Sequence, residues 1–109
     1  MNIFKKFIAT LKFNEAVRKA NNEHAKTGNR YYVMRTSGTS GQLIIMDRKN
    51  FRLLKQKRYI SNKVFVRDLE KECFYCTPYK NGSGELPPKI YEFKKQCYFN
   101  WLENIKKKK

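Results

Sequence analysis

The stretch Arg30-Tyr31-Tyr32-Val33-Met34-Arg35-Thr36-Ser37-Gly38-Thr39-Ser40-Gly41-Gln42-Leu43-Ile44-Ile45-Met46 decides the fold. Arg30 to Arg35 and Gln42 to Met46 are rich in β-branched, aromatic and long apolar side chains, and the link between them consists of turn residues. Two such runs joined this way predict an antiparallel hairpin with a loop longer than the tightest two-residue turn. Strand alternation then predicts that only one of Tyr31 and Tyr32 faces the core.

Upstream, Ile3, Phe7 and Leu11 recur every four residues, with Phe4 and Ile8 beside them and Lys5, Lys6 and Lys12 off the stripe. This spacing predicts a helix that packs the stripe on the core, in preference to laying it on an anionic membrane. A second helical pattern runs from Asn14, read as an N-cap, through Ala16, Val17, Ala20 and His24 to Gly28, a C-cap. One helix or two bent near Phe13 both satisfy the pattern. Downstream, Asp47 is placed to cap a helix over about Arg48 to Arg58, with Phe51 and Leu54 inward. Tyr59 to Val66 reads as extended, Asp68 to Cys73 as a brief helix, and Tyr79 to Glu85 as a loop. Pro87 and Pro88 suit the first turn of a final helix, in which Ile90, Phe93, Cys97, Trp101 and Ile105 recur at helical spacing. The expected architecture is α+β: one hairpin packed by N-terminal, central and C-terminal helices. It forms a single domain over residues 1–105 followed by a lysine tail, 106–109.

The chain has 109 residues, 25 of them Lys or Arg against nine Asp or Glu, a formal net charge of +16. Hydrophobic residues make up 40%, enough for a small core and too many for wholesale disorder. No apolar run approaches the roughly 18 residues of a spanning helix. The surplus is uneven: residues 30–66 hold nine basic side chains and one acid, Asp47. Nucleic acid, DNA or RNA, is the commonest partner for such a balance, followed by an anionic membrane or an acidic protein.

Arg48, Lys49, Arg52, Lys55, Lys57 and Arg58 place six cations in eleven positions of the central helix. They form the candidate site for a phosphate backbone, with Arg30 and Arg35 of the hairpin adding reach. Asn50 and Gln56 offer groups for base edges. A solvated basic face is the plainer reading, but the helix has no Glu four residues from its cations to balance them.

Other motifs carry less. Cys73-Phe74-Tyr75-Cys76 has zinc spacing, yet only Cys97 and His24 remain to complete four ligands, and buried free thiols explain it better. Three cysteines behind an N-terminus without an uninterrupted apolar core suggest a reduced, cytoplasmic chain. Thr36 to Gly41 resembles the phosphate loop of adenylate-forming enzymes, but Gln42-Leu43 stand where that loop has Pro-Lys, and a hairpin turn accounts for the same residues. No Walker A pattern is present. Asp68, Glu70 and Glu72 sit beside Arg67 and Lys71 at a helix start, where capping and local pairing account for them. With one His and scattered acids, the chain is not expected to be an enzyme or to hold a cofactor.

Met46 to Ile60 (MDRKNFRLLKQKRYI) and Glu72 to Gly84 (ECFYCTPYKNGSG) resemble small basic proteins of gut bacteria and their phages, a group without an assigned activity. The resemblance implies a compact accessory protein, phage-encoded and acting in the host cytoplasm or virion. It adds a second candidate role, docking on an acidic protein surface.

Overall fold

A computed structural model describes residues 2–36, 41–58, 66–79 and 82–107. The element order is α1 (Ile3–Thr27), β1 (Tyr31–Arg35), β2 (Leu43–Asp47), α2 (Arg48–Gln56), α3 (Val66–Glu72), β3 (Tyr75–Cys76) and α4 (Pro88–Lys107). The fold is α+β, with an antiparallel sheet in the order β2-β1-β3. In the hairpin, Tyr31 pairs with Asp47 and Arg35 with Leu43. The turn residues 37–40 and the expected extended segment 59–65 lie outside the described residues, and Val66 already belongs to α3.

β3 was not expected from the sequence. Tyr75 and Cys76 pair with Val33 and Tyr32, and the ladder continues on either side through Phe74 N–H to Val33 O and Thr77 N–H to Tyr31 O. The sheet is therefore covered on both faces. Tyr31 and Val33 pack on Ala16 and Ala20 of α1, while Tyr32 packs with Met46, Phe51, Leu69, Cys73 and Cys76 on the other side. Both tyrosines are buried, which corrects the expectation that one would face solvent. Alternation sends them to opposite faces, and each face has a helix over it.

α1 is one continuous helix of 25 residues. Asn2, not Asn14, is its N-cap: the Asn2 side chain accepts from Lys5 N–H at 2.7 Å, and Asn14 is an exposed interior residue. Gly28 ends it in the left-handed region at φ 76°, as the sequence implied. Its buried face is Ala9, Phe13, Ala16 and Ala20. Two alanines let the helix lie close on β1, and Phe13 enters an aromatic cluster with Tyr98 and Tyr91 of α4.

Those anchors fix the rotation of the whole helix and overturn the expected packing of its first turns. Ile3, Phe7 and Leu11 lie two residues out of phase with Ala9 and Phe13, roughly 200° around the axis. They point away from the body and are 90%, 60% and 53% exposed, with Phe4 at 70%. Lys6 is itself exposed and reaches back over the core edge, its Nζ 5.9 Å from the Phe99 ring centroid.

α4 is also rotated from its expected setting. Its buried positions are Lys94, Tyr98, Phe99 and the expected Ile105, whereas Ile90 and Phe93 are exposed. The displacement follows from Lys94, whose ammonium donates to Glu70 O at 2.8 Å and Cys73 O at 3.0 Å. These carbonyls lie at the C-terminal end of α3, a favourable place for a cation. A lysine thus occupies a position that an apolar pattern assigns to solvent.

Candidate nucleic-acid interface

α2 follows β2 without a break. Asp47 closes the strand and caps the helix, its Oδ1 accepting from Asn50 N–H at 2.8 Å, as its sequence position suggested. Phe51 is buried and anchors α2 to the sheet face holding Tyr32 and Met46. The helix stops at Gln56, two residues short of the expected end, and Arg58 adopts a left-handed φ of 65°. Arg48, Lys49, Arg52, Lys57 and Arg58 are exposed, and Lys55 is half-buried with its Nζ 6.0 Å from the Phe51 ring centroid.

A cleft of about 420 Å³ opens beside the first turns of this helix, lined by Arg48, Lys49 and Arg52 together with Asn29, Arg30 and Tyr79. Among the described residues no ion pair ties Arg48, Lys49 or Arg52 to a carboxylate. Asp47 lies in the same wall but serves the helix cap. Arg48, Lys49 and Arg52 therefore bring a local surplus of positive charge to the cleft.

Tyr79 is the residue that sequence reasoning passed over. Its ring carries two guanidinium groups, Arg30 Cζ at 4.0 Å and Arg48 Cζ at 5.7 Å from the centroid. Tyr79 N–H donates to Ser83 O and Tyr79 O accepts from Gly82 N–H, which folds the loop back under the ring. Gly84 lies flat against that ring: a Cβ there would fall 2.7 Å from Tyr79 Cδ2. The only sequence signal for this was the Gly-Ser-Gly run after the tyrosine, legible as a loop and not as a stacking platform.

The two hairpin arginines do not join the cationic face. Arg30 has a side chain only 4% exposed. Its Nε donates to Thr77 O at 2.9 Å, and its Nη2 to Cys76 Sγ at 3.2 Å and Gly84 O at 3.4 Å, with Glu70 Oε1 at 3.6 Å. It builds the cleft wall and is too enclosed to grip a phosphate, a correction to its expected role. Arg35 stands at the other end of β1, about 16 Å along an extended strand. There it pairs with Glu72 at 3.9 Å and lies over the Phe74 ring. Two of the clustered carboxylates are thus the partners of these arginines, Glu70 of Arg30 and Glu72 of Arg35.

The candidate metal ligands do not converge. Cys73 and Cys76 share one core cluster, Cys97 packs at the other between α1 and α4, and His24 Nδ1 meets Asn29 O at 2.7 Å. Among the described residues no group of three or more His, Cys, Asp or Glu side chains is placed to hold a metal ion, and no helix is long and apolar enough to cross a membrane. Compared with protein-family models, curated proteins and solved structures, the chain matches none.

Proposed function

We propose that the chain is a non-enzymatic nucleic-acid-binding protein that holds the sugar–phosphate backbone of DNA or RNA on α2 and its cleft. The observation that carries this reading is the convergence of Arg48, Lys49 and Arg52 on one cleft without acidic partners among the described residues. Arginine forks match phosphate oxygens, Lys49 adds a mobile point charge, and Lys55 in the last turn with Lys57 and Arg58 just past it extend the track. The Tyr79 ring in the wall supports contact with an unpaired base or a ribose. Nothing in this arrangement calls for sequence-specific reading.

If about six phosphates are neutralised, affinity falls roughly a thousandfold between about 50 and 200 mM salt. Binding to a labelled duplex, a single strand and a structured RNA over a salt series measures this. The Lys49→Gln/Arg52→Gln double variant is expected to lower the log–log salt slope by about two while leaving the unfolding midpoint unchanged. Native-like binding by that variant would overturn the assignment of the site.

A second reading is supported by α1. Its exposed Ile3, Phe4, Phe7 and Leu11, next to Lys5, Lys6 and Lys12, suit docking on an acidic protein surface with apolar patches. That mode predicts partner binding that depends weakly on salt and is lost on Phe4→Ser/Phe7→Ser, which leaves α2 untouched.

A further inference from the structure

Cys73 and Cys76 span the step from the end of α3 into β3, and each sulfur meets a cation removed from water. Arg30 Nη2 donates to Cys76 Sγ at 3.2 Å. Lys94 Nζ lies 3.7 Å from Cys73 Sγ, and Lys94 is 8% exposed. The two sulfurs are also hydrogen-bond neighbours of one another. Cys97 is elsewhere, on α4 in the aromatic cluster against α1.

The charges around the pair come from every packed element: Arg30 ahead of β1, Lys94 on α4, and Glu70 on α3. Glu70 is half-exposed and 3.6 Å from Arg30, and among the described residues no carboxylate pairs with Lys94. Burial of two cations favours an anion between them, and a thiolate is the group available. The hydrogen bond from Cys73 and the nearby Arg30 charge outweigh burial and pull the Cys76 thiol down to about 6. The same hydrogen bond, together with burial, pushes Cys73 up, so Cys73 keeps its proton. One sulfur is thereby primed to attack and its neighbour to resolve.

We propose that Cys73 and Cys76 form a redox-active dithiol, Cys76 attacking and Cys73 resolving, that exchanges with small carboxylate-bearing disulfides such as oxidised glutathione. The route is the basic cleft. Cys76 is 1% exposed and does not itself line this cleft; Arg30 lines it and covers the sulfur, so exchange requires the Arg30 side chain to swing aside within a wall that attracts anions. In the first step the Cys76 thiolate attacks one sulfur of the external disulfide, forming a mixed disulfide and releasing one thiolate. Cys73 then gives up its proton and attacks Cys76 Sγ, forming the Cys73–Cys76 bond and releasing the second thiolate. One leaving thiolate takes the Cys73 proton and the other a proton from water. Two electrons pass from the cysteine pair to the external disulfide. The cations stabilise the reduced form, so the protein disulfide is easily reduced and accumulates only in oxidising mixtures.

The test uses the full chain and its Cys97→Ser, Cys73→Ser and Cys76→Ser variants. In a pH titration of thiolate ultraviolet absorbance, Cys97→Ser is expected to show one thiolate forming near pH 6, and Cys76→Ser to lose that step. After equilibration with reduced and oxidised glutathione mixtures and acid quenching, the native chain and Cys97→Ser are expected to lose two hydrogens in mass. Cys73→Ser is expected to stop at the glutathione adduct. The proposal is overturned if no thiolate forms below about pH 8 in Cys97→Ser. It is also overturned if Cys97 is the only residue oxidised, or if purified native chain holds one equivalent of zinc on the pair. Nucleic-acid binding enters none of these readouts, so this proposal and the assignment of α2 fail separately.

Discussion

Arg30 and Arg52 carry the same guanidinium and do opposite work. Arg52 stands in water at the cleft rim, whereas Arg30 reaches Thr77 O, Cys76 Sγ and Gly84 O from inside. Removing Arg30 leaves a buried carbonyl and a buried sulfur without their donor. Arg30→Met is therefore expected to cost roughly 3 kcal/mol, while Arg52→Gln stays within about 0.5 kcal/mol. Urea denaturation of the two variants checks the contrast. The sequence made Asp47 legible as a cap because capping depends on neighbours one turn away. It could not separate Arg30 from the cations of α2, because Arg30's partners, Thr77, Cys76 and Gly84, are brought to it only by the third strand and the loop beyond.

At the scale of elements, α1 carries two apolar stripes out of phase, and only one of them reaches the core. Phe13 is fully buried between Tyr98 and Tyr91, and Phe7, six residues earlier, is 60% exposed. Phe13→Ala is expected to destabilise by about 3–5 kcal/mol and Phe7→Ser by less than about 0.5 kcal/mol, measured by thermal or urea unfolding. Periodicity revealed that residues 3–27 are helical, because that depends only on the repeat. It did not reveal which stripe faces inward, because the small Ala16 and Ala20 outbid larger side chains by fitting closely against Tyr31 and Val33. The hairpin was legible from its two runs and their turn residues. β3 was not, since two residues are too few to show alternation and their pairing depends on β1.

For the molecule as a whole, burial sets how stability follows pH. Tyr32, Tyr75, Tyr91 and Tyr98 are held above the usual phenol range, chiefly by desolvation. Their unfolded counterparts lose protons near about pH 10 while the folded ones keep them, so stability falls as pH rises beyond that point. Cys76 acts in the other sense. Its folded thiol is pulled below the ordinary value of 9.0, so its contribution is present above pH 9 and is lost as pH falls, while its neighbour Cys73, pushed up by the same hydrogen bond and by burial, joins the tyrosines in losing stability as pH rises past 9. Unfolding midpoints measured from pH 6 to 11 are expected to rise and then fall. Tyr98 Oη is buried and finds no hydrogen-bond partner among the described residues, so Tyr98→Phe is expected to be neutral or stabilising near pH 7 and to flatten the alkaline decline.

The outward stripe of α1 also decides how copies of the chain meet. At low ionic strength the net charge of +16 holds two molecules apart before Ile3, Phe4 and Phe7 of one can touch those of another. Added salt shortens that repulsion to about 3 Å at 1 M and leaves apolar attraction intact. The chain is thus its own colloidal stabiliser, dispersed by charge in dilute buffer and made adhesive by the same salt that would strip it from a polyanion.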